Sequence, residues 1–138
     1  MKFVHASCVA IGQFGILLRG PSGSGKSDLA LRLIDEGAIL VADDQVFLES
    51  IDGELLGSSH DKIAGKIEIR GCGIFDFPFL KAITIKVVID LEKRGNIPRQ
   101  PETDSCNIFG HRLPLYRLYA FDISSSIKIR ALLKNLVK

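Results

Sequence analysis

The eight residues Gly20-Pro21-Ser22-Gly23-Ser24-Gly25-Lys26-Ser27 constrain this chain more than any other stretch. They satisfy GxxxxGK[ST] at every fixed position, and the spacing has a physical reason. Glycines let backbone N–H groups converge on phosphate oxygens without a Cβ in the way. A helix starting near Lys26 adds the positive end of its dipole. The Lys26 ammonium can reach the β- and γ-phosphates of a nucleoside triphosphate, and the Ser27 hydroxyl can ligate Mg²⁺. A glycine-rich turn could match the same pattern without holding anything, so the flanks matter. The apolar run Ile16-Leu17-Leu18 leads in, and Leu29, Ala30, Leu33 and Ile34 follow at helical spacing. That strand–loop–helix context is what a phosphate cradle needs. ATP and Mg²⁺ are the expected ligands.

Around this loop the chain alternates between strand and helix signals. Residues 3–11 read as a strand with Val4, Ala6, Cys8 and Ala10 on one face. A turn at 12–15 and the short strand 16–18 follow. The helix spans 27–36 and stops at Gly37. Residues 38–42 form a buried strand, and 45–56 a hairpin turning at 51–54. Residues 57–65 suit a mobile loop. Residues 66–70 read as a strand that Gly71-Cys72-Gly73 breaks, and 82–91 as a strand rich in β-branched residues. A polar loop over 94–103, a hairpin over 109–118 and a closing helix over 124–136 complete an α/β, strand-heavy reading.

Bulk composition excludes several classes. A chain of 138 residues suits one domain over 1–138. Its 18 basic and 16 acidic residues give a net charge of +2, against a dedicated nucleic-acid or membrane-surface binder. No apolar run is long enough to span a bilayer, and no signal peptide is recognisable, so cytoplasm is the expected location. Cys8, Cys72 and Cys106 are odd in number and far apart, which reads as reduced, packed thiols. His60 and His111 lack ligand spacing for zinc. Phe75, Phe77 and Phe79 alternate as one sheet face, expected in the core, with a subunit contact second.

A second chemical feature lies at Asp43-Asp44, where an apolar strand ends in paired carboxylates. Parallel strands of an open sheet present their C-terminal ends to the ligand crevice. If this strand runs parallel to Ile16-Leu18, the pair sits near the phosphates. One carboxylate could then hold Mg²⁺ through water, and the other accept a proton from a hydroxyl nucleophile. Position alone does not say which does which.

His5-Ala6-Ser7, Gly15-Ile16-Leu17-Leu18, GPSGSGKS, Leu40-Val41-Ala42-Asp43-Asp44 and Ile67-Glu68-Ile69-Arg70-Gly71-Cys72-Gly73-Ile74 occur in that order. Together they resemble the catalytic domain of the HPr kinase/phosphorylase family, over most of residues 3–91. The resemblance implies a P-loop kinase domain with a strand-rich mixed sheet. Its implied activity is ATP- and Mg²⁺-dependent phosphorylation of a serine on HPr, the phosphocarrier protein of the bacterial phosphotransferase system, with phosphorolysis of the product as a reverse reaction. It implies Asp44 as proton acceptor, Lys26 and His5 as active-site residues, Ser27 and Glu68 as Mg²⁺ ligands, and a homo-oligomer, hexameric in the family. An active-site arginine is matched to Arg99, with Arg94 as its rival. No counterpart of the separate N-terminal domain of longer members is recognisable. Neither is the Gly-Arg-Asn segment linked to the phosphorylase direction, where Lys128 or Arg130 could supply positive charge instead. A small-molecule kinase and a regulatory nucleotide-binding module without turnover are the competing readings.

Overall fold

The computed structural model describes residues 1–99 and 104–136. Ten strands and two helices run in the order β1 (Lys2–Ile11), β2 (Phe14–Arg19), α1 (Lys26–Asp35), β3 (Ile39–Ala42), β4 (Gln45–Ile51) and β5 (Glu54–Ser58). Then come β6 (Lys66–Ile69), β7 (Gly73–Asp76), β8 (Ala82–Leu91), β9 (Ser105–Ile108), β10 (His111–Leu118) and α2 (Ser125–Leu136). A short 3₁₀ turn, Arg94–Asn96, follows β8.

The long strands β1 and β8 each serve two neighbourhoods. The first half of β1 pairs antiparallel with β4, and its second half with β2 and β3. The start of β8 pairs antiparallel with β5, and its remainder runs parallel to β2. With β4 joined to β5, the pairing β1–β2–β8–β5–β4 closes into a circuit. Beyond β8 the main sheet continues through parallel β10 to antiparallel β9.

The central strands read as continuous apolar runs because both faces are covered. Val9, Ile16, Leu18, Val87 and Ile89 pack under the helices with Leu29, Leu33, Ile129 and Leu133. Their strand neighbours Cys8, Ala10, Leu17 and Val88 point the other way, to Val41, Leu48, Leu55, Ile85 and Leu115. Period-two alternation thus builds two apolar layers from the same strands. Burial pushes the Cys8 thiol up to about 12. Among the helices of the described residues, none is long and apolar enough to cross a membrane.

Several expectations need correction. The late hairpin exists, but its first strand is Ser105–Ile108, and Phe109-Gly110 is its turn. Phe109 has a φ of +49°, so an aromatic takes the left-handed position and hides the turn signal. Gly57 and Ser58, expected in a mobile loop, belong to β5 and pair with β8. The rest of the expected 94–103 loop, residues 100–103, lies outside the described residues.

The largest departure concerns residues 66–79. β6 and β7 form a separate two-stranded hairpin beside α1, linked to the rest by a bridge from Leu40 to Phe79. Its strands are too few to bury two faces. Phe75 and Phe79 are 44% and 40% exposed, and Ile74 is 68% exposed, so these side chains are surface and not core. Cys72 is likewise exposed at the hairpin turn, where packing was expected, and Cys106 is half-buried.

Candidate active site

The phosphate loop leaves β2 at Arg19 and enters α1 at Lys26. Two glycines explain why the loop can close. A Cβ at Gly20 would lie 2.5 Å from Ser24 Oγ and 3.1 Å from the Leu91 carbonyl oxygen. Gly25, at the helix N-cap, has a φ of +97°, and a Cβ there would meet Ala120 Cβ at 2.8 Å and Phe121 Cζ at 3.0 Å. Any other residue would force the loop open or push the following segment away.

Within the loop, Lys26 Nζ donates to the carbonyls of Gly20 at 2.7 Å and Pro21 at 3.1 Å. Lys26 is buried, and desolvation holds its pKa below the ordinary lysine value, opposed by the charges of Asp44 and Asp43. Ser24 Oγ is buried with no hydrogen-bond partner. An orphaned hydroxyl, a glycine-lined cradle and a partly desolvated ammonium together fit a phosphate group.

The acidic pair completes the site from another strand. β3 does run in the direction of β2, as the parallel reading required, but β1 lies between them. Parallel direction still brings the end of β3 to the loop. Asp43 is buried and accepts from Ser7 Oγ at 2.7 Å and from Ser27 Oγ at 2.9 and 3.0 Å through its two oxygens. Asp44 is exposed, and its Oδ1 lies 3.0 Å from His5 Nε2, a contact the Nε2–H tautomer makes as donor. The two carboxylates therefore have different surroundings, which the sequence could not assign.

A backbone feature separates them. The Gln45 N–H donates to the Asp43 carbonyl at 2.8 Å, and Asp44 between them has a φ of +69°. This is a γ-turn of the positive-φ kind, a strained conformation for a residue with a side chain. It turns successive carboxylates apart: Asp43 faces the helix N-terminus and Asp44 faces His5.

His5, Lys26, Ser27 and Asp44 are thus brought together. Ser7 was not singled out as a site residue, although His5 and Ser7 share one strand face by their spacing. Glu68 stands exposed on the β6–β7 hairpin, and among the described residues no three His, Cys, Asp or Glu side chains gather as a metal cluster. Ser27 and Asp43 are hard oxygen donors in direct contact, the donor chemistry that Mg²⁺ takes.

Arg99 is exposed and Arg94 is not free. Arg94 donates to Asp122 at 2.6 Å, and its guanidinium lies over the Tyr119 ring at 4.9 Å. Lys128 stands 3.9 Å from Asp122, and Arg130 bridges to Glu36 at 2.9 Å, so both cations suggested for this region have acidic partners.

Comparison with known proteins shows the family and the fold. The family described as HPr Serine kinase C-terminal domain matches residues 1–105. An HPr kinase/phosphorylase of Clostridium tetani is 44% identical over 97 residues, covering 65% of this chain and 32% of that protein. One from Clostridium novyi is 43% identical over the same length, with 65% and 32% covered. The chain therefore spans about a third of the length of these curated relatives. A solved structure, the Hpr(Ser) kinase/phosphatase from Coxiella burnetii, superposes with a TM-score of 0.88 at 28% identity, covering 98% of this chain and 95% of that one.

Proposed function

The chain belongs to the family of HPr serine kinase C-terminal domains, and from that premise we propose that it is an ATP- and Mg²⁺-dependent protein kinase acting on a serine of HPr. The observation that carries the reading is the split acidic pair. Asp43 lies on the Ser27 hydroxyl and Asp44 lies open beside His5, both at the mouth of the phosphate loop.

In this reading Lys26 exchanges its bonds with the Gly20 and Pro21 carbonyls for the β- and γ-phosphate oxygens. Ser27 and Asp43 would hold Mg²⁺, with Glu68 as a further ligand from the hairpin beside α1. The ion supplies charge neutralisation across the transferring phosphates. Asp44 accepts the proton of the attacking serine as its oxygen bonds to the γ-phosphorus and the bond to the β-phosphate oxygen breaks. His5 holds that carboxylate in place. Arg99 is the arginine assigned to the developing charge, with Arg94 as its rival, and preorganised cations of this kind suit such charge.

The relatives' name also couples the kinase to a phosphorylase. On this chain the reverse reaction would pass the phosphoryl group from phosphoserine to inorganic phosphate, with Asp44 returning the proton to the serine oxygen. Cytoplasmic location and a homo-oligomer, a hexamer in the family, belong to the same proposal, and the exposed Ile74, Phe75 and Phe79 offer apolar surface for assembly.

The direct test is mass spectrometry of HPr after incubation with this protein and Mg²⁺-ATP. One phosphoserine is expected, and its loss on adding inorganic phosphate, with pyrophosphate formed, would support the reverse direction. Folded, nucleotide-bound protein that leaves HPr unmodified would sink the reading.

A further inference from the structure

Strands β3, β1, β2, β8 and β10 lie side by side in that order. Four of them, β2, β3, β8 and β10, run in one direction, so their C-terminal ends share one edge. The phosphate loop leaves β2 in the middle. The acidic pair leaves β3, two strands to one side. Residues 119–122 leave β10, two strands to the other side. At about 4.8 Å per strand, the ends of β3 and β10 each stand on the order of 10 Å from the end of β2, and side chains from both flanks reach back to the loop.

A nucleoside triphosphate lying through the loop has two ends. Under the kinase reading its terminal phosphate faces Asp44, so the base leaves on the opposite flank. An exposed aromatic stands there. Phe121 is 51% exposed, yet its ring tip touches the Gly25 position of the loop. Tyr119 meets it edge-on, with ring centroids 5.7 Å apart and planes at 70°, and Arg94 covers Tyr119 in turn.

The backbone beneath these rings is pinned from α1 and α2. Arg32 donates to the carbonyls of Ala120 and Asp122, and the Ser125 hydroxyl donates to the Tyr119 carbonyl. An aromatic held this firmly, with half its surface open beside a phosphate cradle, is a preformed stacking face.

We propose that Phe121 is the platform on which the nucleobase stacks, making it the residue that distinguishes a nucleotide from a bare polyphosphate. The proposal rests on the nucleotide-binding part of the reading above and deepens it. Stacking on one ring tolerates any base, because every base has a π-face.

The test compares binding of Mg²⁺-ATP and Mg²⁺-tripolyphosphate by calorimetry in the wild type and Phe121→Ala. Stacking contributes enough that ATP affinity should fall by about 5- to 100-fold in the variant, with tripolyphosphate affinity within about twofold of wild type. Equal weakening of both ligands would mean that Phe121 acts only by shaping the loop through Gly25, and overturns the proposal. Unchanged ATP affinity would place the base elsewhere and also overturns it. Phe121→Trp keeps the ring and installs a lone tryptophan in a chain that has none. Its emission should change with ATP and stay constant with tripolyphosphate. Bound ATP without an emission change defeats the platform even if Phe121→Ala does not fold. Wild-type protein that binds neither ligand removes the nucleotide reading itself, a different result from losing the platform alone.

Discussion

The acidic and aromatic flanks of the phosphate loop are assembled in opposite ways. On the acidic side, His5 and Ser7 from β1, Ser27 from α1, and Asp43 and Asp44 after β3 meet through side-chain hydrogen bonds of 2.7–3.0 Å. On the aromatic side, Tyr119, Ala120, Phe121 and Asp122 come from one contiguous segment, held by its carbonyls and by ring contacts. The first depends on the placement of single atoms, the second on shape. Isosteric changes should therefore damage the acidic flank, while volume changes should damage the other.

The sharpest break is expected from Asp44→Asn, which preserves volume and removes the proton acceptor. General-base loss predicts a fall in phosphoryl transfer of about 10²- to 10⁴-fold, with ATP affinity nearly retained. Transfer rates and calorimetry on one preparation check this. A regulatory module would show no transfer before or after the change, and unaltered transfer would remove Asp44 from the mechanism.

Asp43→Asn should act on the metal instead. If Asp43 orients or ligates Mg²⁺, the concentration for half-maximal activity rises about 10- to 100-fold, in the range measured for outer-shell partners. A Mg²⁺ titration at saturating ATP reads this, and an unchanged midpoint would argue that the Ser27–Asp43 contact is only structural.

Ser7→Ala deletes one hydrogen bond to a buried carboxylate and should lower stability by about 1–3 kcal/mol in denaturant unfolding. Ser7→Thr should recover most of the loss if the hydroxyl, and not the volume, is what matters. On the other flank, Gly25→Ala places a Cβ against Ala120 and Phe121 on top of a left-handed backbone. A destabilisation of about 1–3 kcal/mol is expected. A Gly25→Ala variant as stable as wild type would show that the two segments are not in tight contact.

The smallest effect is chemical. At pH 9 an aromatic disulfide reagent should label exposed Cys72 quickly and spare Cys8, whose thiol burial holds protonated up to about 12. Rapid labelling of Cys8 in folded protein would contradict the packing of β1 against β2.

How much of this was legible in the sequence depends on how local each feature is. The phosphate loop needs only its own backbone and the helix it opens, so GPSGSGKS and its flanks specify it nearly completely. The hairpin turn at Asp52-Gly53 and the β8 strand are local in the same sense. The division of labour between Asp43 and Asp44 is not. It comes from a γ-turn at Asp44 and from partners on β1 that lie 36 and 39 residues away. Alternation at Phe75, Phe77 and Phe79 suggests one strand face, but β7 ends at Asp76 and only Phe75 lies in it, and period two cannot say whether a face meets a core or solvent. That answer depends on β6–β7 standing as a pair, with no third strand among the described residues. Phe121 was invisible for a related reason. Its meaning comes from the position of β10 in the strand order, and no spacing along the chain encodes that.

The closed pairing of β1, β2, β8, β5 and β4 has a consequence for how copies of this chain can meet. Each strand in the circuit has a hydrogen-bonded neighbour on both sides for part of its length, which leaves few free backbone donors for an incoming strand. The strands that terminate the pairing, β3 and β9, are four residues each. Short edges of this kind resist strand addition, the usual route to runaway aggregation. Contact between copies through the main sheet is left to side chains, and two of the exposed apolar ones, Ile74 and Phe75, stand on β7, outside the circuit. Open strand edges and exposed apolar side chains instead meet on the β6–β7 pair, so that pair, and not the closed circuit, is where the fold leaves strand addition possible.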